Sequence, residues 1–207
     1  MLEQTKIPIY IVHHLPNTER RAYVEEQFNK QNLYFEFVTG FDPSEISKPN
    51  SDTITVREYS LYLKFDQALK NFLDTQADYC IIFEDDILLC NNFKEYFDIF
   101  FPQFQDLNGD MLIIGTAFNE APTFIQPNIN VYWEERYKTR CAHAILYTKK
   151  AAEIVINELH NGSYRGFDHK LNDIITEKKL KVCWLEPGLH QGSIGDTPYF
   201  KFPTSIR

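Results

Sequence analysis

Short apolar runs alternate along the chain with longer stretches in which apolar residues return every three or four positions. The first run, Pro8 to Val12, predicts a strand. Asn17 follows as a candidate cap for a helix from Thr18 to about Gln31, with Val24 and Phe28 on one face. A second strand from about Tyr34 to Thr39 runs into the turn residues Gly40, Asp42 and Pro43, which completes a β-α-β opening. Thr55-Val56-Arg57-Glu58 has capping-box spacing, and Leu61, Phe65, Ala68, Leu69, Phe72 and Leu73 repeat at helical intervals behind it. That helix leads to the strand Tyr79 to Phe83.

The same reading predicts a helix from Asn92 to Phe101 stopped near Pro102, and a buried strand from Met111 to Ile114 closed by Gly115. The segment Thr116 to Asn130 reads as an active-site loop or a connection to an edge strand. Ala142 to Tyr147 predicts a strand, Lys149 to Leu159 a helix ended by Asn161-Gly162, Asp168 to Lys178 a short helix, and Lys181 to Trp184 a last strand. From Glu186 onward, glycines and prolines suggest either an ordered tail or a lid. Alternating strands and helices predict an α/β fold with a mixed, mostly parallel central sheet flanked by helices.

Composition narrows the function classes. At 207 residues a single domain spanning 1–207 is expected. A balance of 21 basic against 29 acidic residues gives a formal charge of −8, which disfavours nucleic acid and anionic membranes as partners. An anionic ligand therefore needs a local solution. No window is apolar enough to span a membrane, and the amino end carries no signal-peptide pattern, so a cytoplasmic protein is expected. Cys80, Cys90, Cys141 and Cys183 are widely spaced and read as small buried hydrophobes.

The candidate chemistry sits at the end of the third strand, where Glu84-Asp85-Asp86 follow Ile81-Ile82-Phe83. In open α/β sheets, ligands bind beyond the carboxyl ends of the strands. Extended backbone points residues i and i+2 the same way, so Glu84 and Asp86 can converge while Asp85 faces the other side. Two aligned carboxylates suit Mg²⁺ or Mn²⁺, and the alternative is a solvated acidic turn. Three adjacent acids at the edge of a core are costly unless something neutralises them.

Several blocks together resemble glycosyltransferase family 25, the group that includes lipooligosaccharide and collagen galactosyltransferases. Ile9-Tyr10-Ile11-Val12 with Arg20-Arg21 resembles the family's opening strand, and Phe37-Val38-Thr39-Gly40-Phe41-Asp42 its second turn. Glu58-Tyr59-Ser60-Leu61 resembles the start of its long helix, and Ile81-Ile82-Phe83-Glu84-Asp85-Asp86 its acidic signature. Cys141-Ala142-His143-Ala144-Ile145-Leu146-Tyr147, Lys150-Ala151-Ala152, Gly166-Phe167-Asp168 and the segment Pro187, Gln191, Ser193 resemble its later blocks. Phe65 stands where many members carry a histidine.

The resemblance implies a GT-A type nucleotide-diphospho-sugar transferase fold. It further implies a hexosyltransferase that moves a sugar from a nucleotide donor, UDP-sugar by expectation, to a glycan or glycoconjugate hydroxyl, as in lipopolysaccharide biosynthesis, with inversion. The donor side is assigned to Ile11, His13, Arg20, Gly40, Lys64, Glu84 and Asp85, and the Mn²⁺ or Mg²⁺ to Glu84, Asp86 and His190. His190 is alternatively a surface residue, and His13 and His14 alternatively belong to an ordinary turn. Asp168 is the candidate general base or else a helix cap, with Asp173 and Glu186 as weaker substitutes. Trp133 either stacks on an acceptor sugar or packs on an edge strand. Two other readings stay open: a binding module on the same fold without turnover, and a metal-dependent phosphoryl enzyme. The second lacks a P-loop or a nucleophile elbow.

Overall fold

The computed structural model describes residues 7–115, 129–133 and 142–185. The expectations for His190, Glu186 and the tail beyond, Cys141, and most of the 116–130 segment lie outside these residues. Among the described residues, seven strands form one sheet: β1 (Ile9–Val12), β2 (Glu36–Val38), β3 (Tyr79–Glu84), β4 (Met111–Gly115), β5 (Val131–Trp133), β6 (Ala144–Thr148) and β7 (Val182–Leu185). Their order is β2-β1-β3-β6-β4-β7-β5. β6 runs antiparallel to both β3 and β4, β5 runs antiparallel to β7, and the remaining pairs are parallel. The sheet is thus mixed, with β5 and β6 opposing the other strands.

Five described helices cover it: α1 (Thr18–Lys30), α2 (Val56–Leu73), α3 (Phe93–Asp106), α4 (Lys149–Leu159) and α5 (Phe167–Lys178). Side-chain alternation decides which face each strand residue feeds. Ile9, Ile11, Ile81 and Phe83 pack with Val24 and Phe28 of α1 and the phenylalanines of α3. Tyr10, Val12, Cys80 and Ile82 pack with Tyr62, Phe65 and Leu69 of α2 and with α4 and α5. One sheet therefore separates two apolar layers, and each fully buried aromatic or aliphatic side chain contributes roughly 1.5–3 kcal/mol.

Most predicted elements appear, with three corrections. α3 continues through Pro102 to Asp106. The proline lacks the N–H that would bond back to the carbonyl of Asp98, a loss of about 3 kcal/mol. Burial of Phe97, Phe100, Phe101 and Phe104 along one stripe of this helix outweighs it. Asn17 precedes α1 but makes no side-chain cap bond, because its ψ of 64° is not the extended geometry a cap needs. Asp168 lies inside the first turn of α5 behind Gly166, where its carboxylate accepts from the His169 N–H at 2.8 Å, so it is not the cap. The capping box of α2 forms as predicted, with Thr55 and Glu58 each accepting from the other's backbone N–H.

Parallel β1, β2 and β3 end at the same edge of the sheet. Antiparallel β6 begins there, so its preceding residues join the same edge. No described helix is long and apolar enough to cross a membrane.

Candidate functional site

At that edge lies a cleft of about 620 Å³, lined by residues that follow β1 and β3 and by the facing turns of α1 and α2. The alternation that sorts the core also sorts the site. Val12 pairs in register with Glu84 across the parallel β1–β3 ladder, so His13 and Asp85 emerge side by side. They share the parity of Ile11 and Phe83, which turns them toward α1. Glu84 keeps the parity of Ile82 and turns toward α2 and α5.

His13 Nδ1 lies 2.6 Å from Asp85 Oδ2, and Arg20 Nη1 donates to Asp85 Oδ1 at 2.6 Å. All three side chains are nearly inaccessible to solvent. Burial opposes ionisation of Asp85, but the His13 hydrogen bond and the Arg20 guanidinium outweigh it and hold its carboxyl below the usual range. An ionised carboxylate only accepts, so the proton of this pair resides on His13 Nδ1. His13 Nε2 is then a buried nitrogen with no hydrogen-bond partner among the described residues.

A second group occupies the α2 side. Asp42 Oδ1 lies 2.7 Å from His14 Nδ1 and accepts from Lys64 Nζ at 3.4 Å. Asp42 is held there by the preceding residue, Phe41, which takes a left-handed φ of 64° and whose carbonyl accepts from Ser60 Oγ at 2.6 Å. For a bulky side chain that conformation costs about 1–3 kcal/mol and clusters at functional sites. Burial lowers the pKa of Lys64 against the opposing pull of Asp42.

The remaining acids meet a histidine from another strand. The Glu84 N–H donates to the His143 carbonyl at 3.0 Å, continuing the β3–β6 ladder by one step. His143 Nδ1 is 3.6 Å from Glu84 Oε1 and 3.7 Å from Asp86 Oδ1. One ligand-type atom from each of Glu84, Asp86 and His143 lies within 4.8 Å of the others. Burial, then the charges of Asp86, Asp85 and Asp168, push the Glu84 carboxyl well above the usual carboxylate range. Burial likewise raises Asp86, against the pull of His143. Asp86 Oδ1 is buried without a hydrogen-bond partner among the described residues.

These residues fit a divalent cation. Two carboxylates and an imidazole form a hard oxygen-rich set with one nitrogen, and a dication would remove the cost of an orphaned buried carboxylate oxygen.

The structure brings together most residues that the sequence singled out. Glu84, Asp85, Asp86, His13, Arg20 and Lys64 all line the cleft, and Asp168 is close enough to Glu84 to act on its ionisation. Ile11 does not join them: its side chain is fully buried in the α1/α3 core, because odd positions of β1 face that layer. Gly40 is exposed and is not part of the lining. Asp173 is paired with Arg165 at 3.0 Å on the surface. Trp133 sits on edge strand β5, three strands removed from β3 by β6, β4 and β7, with Lys181 Nζ 6.0 Å from its ring centroid. It is an edge-strand residue and does not face this cleft.

His143 is the site residue that sequence reasoning left without a role. Its signal is its place immediately before a strand, but that matters only once β6 is known to pair antiparallel with β3.

No protein-family model matches the chain. Among curated proteins it is similar to one of Haemophilus influenzae (strain ATCC 51907 / DSM 11121 / KW20 / Rd) named "Putative glycosyltransferase", at 25% identity over 201 residues, covering 87% of this chain and 68% of the relative. Among solved structures it superposes on a glycosyltransferase involved in the glycosylation of the major capsid of PBCV-1. The TM-score is 0.50 at 17% identity, over 87% of this chain and 82% of that one. The shared fold is the GT-A type nucleotide-diphospho-sugar transferase architecture.

Proposed function

We propose that this chain is a metal-dependent glycosyltransferase that moves a sugar from a nucleotide-diphosphate donor, UDP-sugar in the first instance, to a glycan hydroxyl. The reading is carried by the trio Glu84, Asp86 and His143 at the carboxyl edge of the sheet, beside a cleft of about 620 Å³. The fold shared with a glycosyltransferase and the similarity to the Haemophilus protein support it.

Glu84, Asp86 and His143 would hold Mn²⁺ or Mg²⁺, with His190 as a further candidate ligand. When bound, the ion supplies positive charge that lets an acidic pocket accept a diphosphate and eases its departure. The chain's own residues do the rest. Lys64, buried on the cleft wall, offers a cation to the donor's negative charge. Arg20 holds Asp85, and Asp85 in turn holds the buried His13 ring in the wall of the cleft. Asp168, whose charge acts on Glu84, would take the acceptor hydroxyl's proton if transfer is a direct displacement with inversion. Phe65, standing where the resembled family often has histidine, contributes packing instead of a polar contact: its ring stacks on Phe167 at 4.0 Å.

The expected outcome is that a UDP-sugar raises the melting temperature only when Mn²⁺ or Mg²⁺ is present, and that Asp86→Ala removes the shift. A donor-dependent shift of equal size in the presence of a chelator overturns the metal-dependent reading.

A further inference from the structure

Asp85 lies between the two carboxylates of the cation site yet is turned away from it, and its surroundings assign it a different task. We propose that Arg20 and His13, acting through Asp85, are positioning residues that set the metal-binding geometry of Glu84 and Asp86. This inference rests on the metal-dependent reading above.

β3 ends at Glu84, and Asp85 and Asp86 form a turn beyond the ladder, so ladder bonds hold Glu84 but do not hold Asp86. On one side, Glu84 is tied to β6 through its N–H to the His143 carbonyl at 3.0 Å. On the other, both carboxylate oxygens of Asp85 are occupied at 2.6 Å, one by His13 and one by Arg20. The His14 N–H adds a longer bond to Asp85 Oδ2 at 3.4 Å. His13 and His14 come from the end of β1, and Arg20 from the first turn of α1. Asp85 thus links the acidic turn to two other elements. Its flanking carboxylates are forced to the opposite side, where His143 waits.

Charge-assisted hydrogen bonds at this length are the strong kind, and burial shields them from water and salt. Arg20 is 5% exposed and Asp85 6% exposed, so neither partner has a solvated alternative. The three acids would otherwise repel one another. Neutralising the middle one with a guanidinium lets the outer two stay close without a third negative charge free to compete for the same cation. Groups that orient metal ligands in this way typically change metal affinity by about 10–100-fold when removed.

The sign of the effect separates positioning from simple electrostatics. Arg20→Met deletes a positive charge near a cation site and frees a carboxylate beside it, so on charge alone Mn²⁺ should bind more tightly. If Arg20 acts by holding the turn, Mn²⁺ should bind more weakly. The test is a titration of the full chain with Mn²⁺ alone, followed by calorimetry and by the spin-resonance signal of free Mn²⁺. The series comprises wild type, Arg20→Met, Arg20→Lys, His13→Gln and Asp86→Asn, each checked for a folded circular-dichroism spectrum.

The expected result is a loss of about tenfold or more for Arg20→Met and a clear loss for Asp86→Asn. Arg20→Lys, which keeps a charged donor, and His13→Gln, which keeps a donor toward Asp85, should recover part of the affinity. Unchanged or tighter Mn²⁺ binding in folded Arg20→Met, with Asp86→Asn still weakened, overturns the positioning role and leaves the metal reading standing. Wild type that binds no Mn²⁺ overturns both. Should Arg20→Met fail to fold, a folded His13→Leu, which leaves Asp85 Oδ2 without that donor, overturns the proposal by itself if its Mn²⁺ affinity is that of wild type.

Discussion

Lys64 shows how a single side chain can carry both a cost and a use. It is 4% exposed and touches Asp42 at a long 3.4 Å, and burial lowers its pKa despite that partner. While it is charged in both folded and unfolded states, burying it costs stability. As pH climbs through its lowered folded value toward the ordinary lysine value near 10.4, the folded chain sheds the proton first and that cost fades. On the proposed donor role of Lys64, anion binding should run the other way, because a diphosphate needs the charge. Donor affinity measured with Mg²⁺ is therefore expected to hold near neutral pH and to decline on the alkaline side before an ordinary lysine would titrate. In Lys64→Arg the decline should move upward, since a guanidinium does not titrate there. An identical alkaline limb in both proteins would exclude Lys64 as the donor's cation.

At the scale of elements, the join between α2 and α5 controls where Asp168 sits. Phe65 of α2 stacks on Phe167 of α5 with ring planes at 25°, and Phe167 also meets Tyr62 edge-on at 5.5 Å. Phe65→Ala should lower stability by about 3–5 kcal/mol, since it empties a fully buried site. It should also reduce turnover more than donor affinity, because the helix bearing Asp168 loses its anchor while the cleft wall keeps Lys64. Equal losses in turnover and donor affinity would break that link. Local signals made this much legible: the capping box of α2 and the helical repeat of Phe65 and Leu69 are contained in the chain itself. The Glu84 and Asp86 pairing was equally readable, because strand parity is local. His143 was not, since its approach depends on the antiparallel pairing of Phe83 with Ala144, a residue far along the chain. Pro102 misled for a related reason: its penalty is local, but the phenylalanine burial that overrides it belongs to the whole α3 layer.

At the scale of the molecule, the fold separates two ion-paired walls from an acidic corner. Arg20 is matched by Asp85 and Lys64 by Asp42, so these buried cations add little net positive field to the cleft. Glu84, Asp86 and the overall charge of −8 then dominate what an approaching ion feels. On the proposed function, a dication should be drawn in, whereas a free nucleotide diphosphate should be repelled until it is close enough to touch Lys64. These two approaches should respond to salt with opposite signs. Raising ionic strength from about 10 to 150 mM shortens the screening length from about 30 to about 8 Å. Mn²⁺ affinity should fall over that range, while the association rate of metal-free UDP should rise as repulsion is screened. Titration of Mn²⁺ and stopped-flow mixing with UDP read the two slopes separately. If both quantities fall with salt, the cleft is electropositive to a nucleotide even without metal, and the ion would not be what admits the diphosphate.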